Sequence, residues 1–496
     1  MSHHSGQATV RTGTLRGIDA IPVEVQVDVG RGLPAFRIVG LGDIAVQEAR
    51  ERVRAAIRSS GLSFPDARVT VNLAPAPLKK HGTGFDLPIA AGILVATGQV
   101  EPRFINDSWL TGELALDGGL RPVNGMLCHA IAAAHERRVL VCSVDSEPEI
   151  SAVDALHWRG IDRLSDVCRQ STPTHRQLPP TNQACTADLG SVAGHQSAKR
   201  ALEIAAAGAL NVLMVGPPGS GKTMLARCLP GILPPMSHAE ALETAVIHSV
   251  AGLDSSSASG GTRPFRAPHH ASTLRGLIGG GSPIRPGEVS LAHNGVLFLD
   301  ELPEFGPATL QALRQPMEDR RISLVRAEGR VDLPADFMFI AAANPCPCGF
   351  LGDPDKRCTC SETSISRYAS RIGGPLMDRI DICLRVDRID PGLLMSTEEV
   401  DESTAVRTDV QRARTMAESR GASNRLLNGV PLLRACSLTP DCVQRVEEIA
   451  SHARLSGRGV TRLLRVARTI ADLESTPSVM SEHLDEAASY RILEGR

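Results

Sequence analysis

The chain has 496 residues, enough for two or three domains that each bury a core. Hydrophobic residues make up 42% of it and charged residues 22%, which is typical of globular proteins. The formal net charge of −2 excludes binding to nucleic acid through overall basicity, so any basic surface must be local. Ten Phe, two Trp and two Tyr are too few for a protein that depends on base stacking.

The sequence contains no apolar run long enough to cross a bilayer, and Met1–Gln7 lacks the features of a signal peptide. We therefore expect a cytoplasmic protein without a membrane partner. In that compartment the twelve cysteines are expected to be thiols or metal ligands rather than disulfides.

The predicted elements divide the chain into three units and a linker. Residues 1–170 are predicted to form a mixed α/β domain, because Ile21–Val29 alternates with period two and other apolar runs are helical. Further strands are expected at 68–73, 110–116 and 139–142, and helices at 46–59, 87–97 and 125–136. Residues 171–187 are polar and rich in proline, which indicates a linker. A nucleotide-binding domain is expected over 188–388, and helices over 389–496, at 404–419, 440–453, 459–473 and 482–490.

The segment 216–223 reads GPPGSGKT, a complete phosphate-binding loop placed between an apolar strand and the start of a helix. Its glycines let backbone N–H groups point at phosphates, and the helix N-terminus adds positive partial charge. Lys222 is expected to reach the β- and γ-phosphates of ATP, and the Thr223 hydroxyl to hold Mg²⁺. The residues expected to contact the nucleotide are Gly216, Pro217, Pro218, Gly219, Ser220, Gly221, Lys222 and Thr223.

Two later apolar strands are predicted to end in polar residues beside this loop. The first ends in Asp300 and Glu301. Asp300 is expected to orient Mg²⁺ and Glu301 to polarise the attacking water as general base. The second strand ends in Asn344, whose amide is expected to orient the water or to contact the γ-phosphate. The alternative for Asp300 and Glu301 is that they are surface acids at the end of an ordinary buried strand. The alternative for Asn344 is that it is an ordinary turn residue.

Four cysteines are grouped as two C-x-C pairs, Cys346 with Cys348 and Cys358 with Cys360. Four thiolates that close a short loop match the ligand count of a tetrahedral structural zinc site. The alternatives are reduced thiols without metal and an iron–sulfur cluster. For His269 and His270 we expect backbone contact or core packing, because no Asp, Cys or third His lies nearby in the sequence. His195 is expected either to line the adenine pocket or to cap a helix.

Several longer segments make the chain resemble the AAA+ ATPases, and within them the magnesium-chelatase-like branch and its ComM/YifB family. The segments are Phe265–His270, Gly280–Glu288, Ala343–Gly349 and Gly374–Asp381, and the likeness covers nearly the whole chain. The resemblance implies an α/β fold with an N-terminal Lon-protease-like (S5 domain 2-like) domain, an AAA+ P-loop core and a C-terminal helical lid.

The resemblance also implies two arginines that act on the nucleotide. Arg379 matches the arginine finger that reaches the γ-phosphate of a neighbouring subunit, a role for which a permanently charged guanidinium is suited. An interface or surface salt bridge is the alternative. Arg458 is similar to the sensor-two arginine, although Arg462 and Arg465 follow on the same helix. A finger that acts on a neighbour requires a ring, and the resemblance implies a homo-hexamer.

The Lon-like likeness does not carry protease activity. His81–Asp86 occupies the place of the nucleophile turn but contains no serine, and Met126–Cys128 stands where the lysine is expected. A Ser–Lys dyad needs both partners, because the amine must take the hydroxyl proton. Thr83 has no base near it in the sequence, so we expect no protease.

Two arginine-bearing insertions are expected to face the pore of the ring and to contact a phosphate backbone. Residues Arg320–Leu333 are predicted to form a hairpin with Arg326 and Arg330 near its tip. Residues Arg263–Pro286 are expected to form a second projection, which carries Arg263, Arg266, His269, His270, Arg275 and Arg285. The alternative is local pairing of these arginines with Glu288, Glu318 or Glu328.

The resemblance implies an ATP- and Mg²⁺-dependent ring motor that acts on branched or single-stranded DNA. Branch migration or helicase activity in homologous recombination or natural transformation is the expected function. The alternatives are a motor subunit for metal insertion into a tetrapyrrole and a protein-remodelling ATPase, which exposed pore aromatics would favour. Phe265 and Phe350 are the only candidates for such aromatics.

Overall fold

The N-terminal unit is built on a mixed seven-stranded sheet in the computed structural model, which describes residues 6–168, 187–326, 329–353, 355–389 and 401–491. The strand order is β3-β4-β2-β1-β5-β8-β9. The strands are β1 Gly6–Arg16, β2 Asp19–Gly30, β3 Ala35–Val39, β4 Arg68–Ala74, β5 Ser108–Leu110, β6 Glu113–Leu114, β7 Leu120–Arg121, β8 Val139–Ser143 and β9 Trp158–Ile161. The helices are α1 Ile44–Ser59, α2 Asp86–Ala96, α3 Met126–His135 and α4 Glu147–Ile150.

Alternation of buried valines in β2 produces the main face of this sheet. Val23, Val25, Val27 and Val29 are buried, and they pack against helices α1 and α2 in one core. The strand predicted over 110–116 is divided in the structure: β5 joins the large sheet, whereas β6 pairs with β7. The division lies at Gly112, where a Cβ would come within 2.6 Å of Leu120.

The central unit contains a five-stranded parallel sheet in the order β11-β14-β17-β10-β18. Its strands and two hairpins are β10 Val212–Val215, β11 Phe265–Arg266, β12 Gly279–Gly280, β13 Arg285–Pro286, β14 Val296–Leu299, β15 Arg321–Arg326, β16 Gly329–Pro334, β17 Met338–Ala343 and β18 Ile382–Arg385. The helices are α5 Gln196–Gly208, α6 Lys222–Ile232, α7 His238–Ala251, α8 Ser256–Ser259, α9 Leu274–Ile278, α10 Glu288–Leu291, α11 Pro307–Ala312, α12 Arg314–Asp319, α13 Glu362–Ser370 and α14 Gly374–Met377.

Burial on both faces explains why β14 and β17 are continuous apolar runs, as is usual in parallel sheets. Because all five strands run in the same direction, the loops that follow β10, β14 and β17 meet at one edge of the sheet. A functional site is expected at this carboxyl edge.

The C-terminal unit is helical: α15 Glu402–Ser419, α16 Gly429–Cys436, α17 Pro440–His452, α18 Gly457–Leu473 and α19 Ser481–Ser489. Helix α18 buries most of its length, and its core is continuous with that of the central unit around α5. The predicted helices are confirmed to within two residues at each end, whereas α16 was not predicted. The predicted linker, 171–187, lies outside the described residues except for its last position. None of the helices in the described ranges has the length and apolar character that crossing a membrane requires.

Candidate active site

The predicted phosphate loop connects β10 to α6 at the carboxyl edge of the central sheet. Gly219 and Gly221 have φ values of +77° and +83°, a conformation that glycine adopts without strain. Gly216 lies against the carbonyl of Val386, with no room there for a Cβ, and its N–H donates to Ala343 O at 3.2 Å. The loop therefore has the backbone that its sequence predicts, and it lies beside the end of β17.

Lys222 folds back over the loop. Its ammonium donates to the carbonyls of Gly216 and Pro217, both at 2.8 Å, and the side chain is largely buried. Burial lowers the pKa of Lys222, and the carboxylates of Asp300 and Glu301 oppose this shift. The lysine is thus held at the loop by weak neutral acceptors, which a phosphate oxygen can replace with a stronger, charge-assisted bond.

Thr223 and Asp300 meet as the sequence predicts. The Thr223 hydroxyl donates to Asp300 Oδ2 at 2.7 Å, and Asp300 Oδ1 accepts from the Glu301 N–H at 2.9 Å. A hydroxyl and a carboxylate in contact are an oxygen pair that suits Mg²⁺. Glu301 follows with a left-handed φ of +51°, and its side chain is half exposed at the same edge.

A residue that sequence reasoning did not assign to the site contacts Glu301. The ring of His270 lies with Nδ1 3.5 Å from Glu301 Oε2, and it also contacts the rings of His269 and Phe305. His270 follows β11, which is the neighbour of β14 in the sheet. The prediction of backbone contact or core packing for His270 therefore did not include its contact with Glu301. Sequence reasoning could have placed His270 beside Glu301 only if it had known that β11 and β14 are neighbours in the sheet.

Asn344, the last predicted polar residue of this edge, directly follows β17 and so lies close to Gly216. Burial raises the pKa of Tyr368 to about 12, and the backbone N–H of Asn344 opposes this shift. His195 occupies the N-cap position of α5 but makes no side-chain cap bond. Its ring instead lies against Gly221 of the phosphate loop.

Arg379 lies at the opposite, amino edge of the sheet. Asn211, which precedes β10, donates its side-chain N–H to Arg379 O at 2.8 Å, whereas the phosphate loop follows β10. Four residues of strand, about 13 Å, separate the two edges. The guanidinium of Arg379 pairs with Glu318 and donates to Pro375 O. Within this chain, Arg379 therefore faces away from its own phosphate loop.

Arg458 lies at the same amino edge as Arg379. Its guanidinium is 3.5 Å from Asp378 Oδ2 and is mostly exposed. Arg462, one turn later, is buried and donates to Met377 O and Ile380 O, both at 2.8 Å, so it has a structural position. A cavity of about 440 Å³ at this edge is lined by arginines, namely Arg320, Arg379, Arg425, Arg458, Arg462 and Arg465.

The arginines of the two insertions fall into two groups. Arg263 pairs with Glu240 and donates to Asn294 O at 2.7 Å, and Arg266 forms a bidentate pair with Glu288 at 2.7 and 2.8 Å. For these two, the structure supports the salt-bridge alternative. Strand β11 belongs to the central sheet, so the projection predicted over Arg263–Pro286 begins only after β11. The β15–β16 hairpin has the predicted form, and Arg275, Arg285 and Arg326 are exposed.

The four cysteines converge as a metal site requires. All four Sγ atoms lie within 4.8 Å of one another, and Cys346 is buried. The Sγ atom of Cys346 is 3.4 Å from that of Cys348 and 3.6 Å from that of Cys358. Sulfurs around a tetrahedral zinc with Zn–S bonds of about 2.3 Å are about 3.8 Å apart, so the set fits. The turn after Cys348 lies against the phosphate loop, because a Cβ at Gly349 would be 2.6 Å from Pro218.

The segment at the place of a protease nucleophile, His81–Asp86, contains no serine. At Gly84 a Cβ would lie 2.8 Å from Thr111 Oγ1, so a serine side chain does not fit without rearrangement. The buried Lys80 ammonium donates to Pro75 O, and His129 accepts from Trp109 Nε1 at 3.2 Å. Burial lowers the pKa of His129 to about 4.

Comparison with known proteins gives consistent matches along the chain. The family model described as magnesium chelatase, subunit ChlI, matches residues 188–393. The models for subunit ChlI of Mg-chelatase and for the ChlI C-terminal region match residues 25–145 and 400–491.

Full-length relatives are similar over almost the whole chain. Protein YifB of Salmonella typhimurium is 42% identical over 98% of this chain and 97% of its own length. Competence protein ComM of Haemophilus influenzae is 40% identical over the same shares of the two chains. DNA replication licensing factor mcm6 of Dictyostelium discoideum is 25% identical over 73% of this chain and 40% of its own. The chain therefore belongs to the magnesium-chelatase ChlI family, together with YifB and ComM.

Proposed function

We propose that this protein is an ATP-hydrolysing motor subunit that forms a homo-hexameric ring and acts on DNA. The observation that carries the ATPase part is the contact of Thr223 with Asp300 at 2.7 Å, beside a loop that presents Lys222 and next to Glu301. Mg²⁺, held through Thr223 and Asp300, would neutralise charge on the phosphates.

Each residue of the edge has a role in this proposal. Lys222 releases the loop carbonyls and binds the β- and γ-phosphates, and the loop N–H groups bind the phosphate oxygens. Glu301 accepts a proton from the attacking water, while Asn344 orients that water. Because Arg379 and Arg458 face away from their own loop, they serve the γ-phosphate of the next subunit.

Action on DNA is supported by the relatives and by the hairpins. One relative is named as a competence protein and another as a DNA replication factor. Arg275, Arg285 and Arg326 project from the central unit as cations that can bind a phosphate backbone. We propose branch migration or unwinding during recombination or transformation as the cellular role.

A second candidate is the motor of a metal-insertion complex that loads Mg²⁺ into a tetrapyrrole. The family models that match this chain carry the name of magnesium chelatase, which favours this candidate. A protein-remodelling motor has less support. The reason is that the two candidate pore aromatics have partners within the chain. The ring of Phe265 stacks on that of Phe298 at a centroid distance of 5.9 Å, and the ring of Phe350 is covered by Lys356 and Arg388.

The cysteine cluster is proposed to hold a structural zinc ion. Four thiolates fill all coordination positions, so the ion would fold the loop and not act as a reaction centre. The contact of Gly349 with Pro218 would transmit that order to the phosphate loop.

The decisive measurement is ATP hydrolysis by the purified protein with and without a four-way DNA junction. We expect stimulation by the junction, and a fall in kcat of about 10²-fold or more in Glu301→Gln, because the general base is lost while nucleotide binding stays. Activity that is indifferent to DNA but rises with a tetrapyrrole and its partner subunits would overturn the DNA assignment.

A further inference from the structure

The turn between β1 and β2 of the N-terminal unit packs against the β15–β16 hairpin of the central unit. Gly17, with φ +65°, lies so close to the hairpin that a Cβ there would be 2.5 Å from Val331 Cγ1. Ile18 packs against the hydrophobic cluster that contains Val331 and Leu333. Arg16 donates from Nη2 to Arg330 O at 3.4 Å. The turn and the hairpin therefore form one continuous surface.

Three exposed arginines lie along this surface, each beside one of its glycines. Arg16 lies against Gly329, where any Cβ would collide with its Nη2. Gly329 is the strand partner of Arg326, whose Nη2 lies 3.5 Å from the Cβ position of Gly280. Arg275 covers Gly281, the next residue. The β15–β16 hairpin and helix α9 of the central unit and one turn of the N-terminal unit thus each contribute one cation.

These three arginines differ from their neighbours in their charge partners. Arg330 pairs with Asp332 at 3.0 Å, and Arg266 pairs with Glu288. Among the described residues, none of Arg16, Arg275 and Arg326 has a carboxylate within ion-pair distance. Like charges that gather on one surface repel one another, so an external polyanion would be attracted strongly.

We propose that Arg16, Arg275 and Arg326 form one binding site for the sugar-phosphate backbone of nucleic acid, so that the N-terminal unit takes part in substrate binding. The inference rests on the proposed action on DNA and extends it to a residue outside the AAA+ core. Arginine suits the site because its planar fork binds two phosphate oxygens at once. No base is read by such a site, so binding is independent of sequence.

The test is the salt dependence of binding to a fluorescently labelled duplex, measured on the full-length protein. Arg16→Ala is expected to weaken binding several-fold at fixed salt and to reduce the slope of log K against log[salt] by about one. Arg275→Ala and Arg326→Ala are expected to act in the same way. Arg16→Lys, which keeps the charge, is expected to restore the slope.

Arg37→Ala is the matched control, because Arg37 is an exposed arginine on β3, three strands away from β1. It should leave affinity and slope at the wild-type values. An unchanged slope in Arg16→Ala, even with weaker binding, would show that Arg16 only supports the hairpin, and would overturn this inference while the proposed function stands. If the wild-type protein binds neither the labelled duplex nor a labelled four-way junction, both the inference and the proposed action on DNA fail.

Discussion

His270 and Glu301 meet because the strands that precede them, β11 and β14, are neighbours in a parallel sheet. The imidazole lies beside the carboxylate of the proposed general base. The segment that carries His270 continues through α9 to the β12–β13 hairpin. His270 therefore lies, along the chain, between β11 and the exposed Arg275 and Arg285, and in space beside Glu301, the proposed general base.

We predict that His270→Ala lowers kcat for ATP hydrolysis by roughly tenfold with KM for ATP unchanged. Without its partner the Glu301 side chain samples more rotamers, whereas the phosphate loop that binds ATP is not altered. Steady-state kinetics at saturating Mg²⁺ measures the effect. His270→Asn, which keeps a hydrogen-bonding group, should recover part of the loss.

His238→Ala is the control for this prediction, since His238 is an exposed histidine that pairs only with Asp154 among the described residues. It should behave as wild type. A kcat for His270→Ala within twofold of the wild-type value would show that the contact with Glu301 has no role in hydrolysis.

For individual residues, the sequence predicted the local motifs but not every side-chain partner that lies far away in the chain. Thr223 and Asp300, both predicted to act on Mg²⁺, are in contact, because the loops that follow β10 and β14 lie at the same edge of a parallel sheet. For Arg263 and Arg266 the sequence left contact with DNA and local salt bridges open. Arg266 pairs with Glu288, a partner that the sequence suggested, whereas Arg263 pairs with Glu240, which it did not suggest. The partner of Arg263 depends on how α7 packs, which no local pattern encodes.

The segment between β17 and α13 contains all four clustered cysteines. Lys356 and Arg388 cover the ring of Phe350 in this loop, and Arg388 lies 3.4 Å from Asp353. Arg385 also donates from Nη2 to Gly352 O, and the sulfur cluster joins the two ends of the loop. A bound ion would therefore contribute directly to its stability.

We predict that the purified protein contains one zinc ion per chain, and that Cys358→Ser and Cys360→Ser lose it. A loss of about 2 kcal/mol of binding energy would lower Tm by roughly 4–8 °C. Because Gly349 abuts Pro218, KM for ATP should rise as well. Elemental analysis and thermal unfolding, with and without a chelator, measure these changes.

Cys168→Ser, at a half-buried cysteine outside the cluster, is the matched control and should retain the metal. If neither zinc nor iron is found, and if the chelator leaves Tm unchanged, the cluster consists of reduced thiols. An absorbance band in the visible range with bound iron would instead support the iron–sulfur alternative.

Helix α16, Gly429–Cys436, shows why one element escaped sequence analysis. It has eight residues, begins with a glycine whose φ is +51°, and has a proline within its first turn. Proline is tolerated at a helix start, but a short segment with both residues resembles a loop. The longer helices α15 and α18 have enough turns for an apolar stripe and were predicted.

For the whole molecule, the two edges of the central sheet carry the two halves of the proposed catalytic site. The carboxyl edge carries the phosphate loop and Glu301, and the amino edge carries Arg379 and Arg458. One chain cannot close these halves on each other, because the sheet lies between them. A head-to-tail ring brings the amino edge of one subunit to the carboxyl edge of the next.

We predict that mixing two inactive variants restores ATP hydrolysis. Arg379→Ala keeps its own Glu301, and Glu301→Gln keeps its own Arg379, so an interface between them can be complete. Random mixing in equal amounts is expected to give about a quarter of wild-type activity, since one interface in four has the productive order. The recovered activity is measured as ATP hydrolysis by the mixture after the subunits have exchanged.

Each variant alone, at the same total concentration, is the control for the mixture. Activity of the mixture equal to the mean of the two variants would contradict a site shared between subunits. In that case Arg379 would be an interface or surface salt bridge with Glu318, as its pairing in this structure already allows.

The amino-acid sequence by itself determined the parts of this protein that depend on neighbouring residues. The phosphate loop, the acids that end β14 and the spacing of the cysteines are all short-range patterns, because backbone conformation and ligand reach act over a few residues. Tertiary structure decided which of these parts meet. Strand order set His270 against Glu301 and separated Arg379 from its own loop, and packing placed Arg16 beside the hairpins. Such contacts join residues far apart in the chain, so they depend on the folding of the whole molecule.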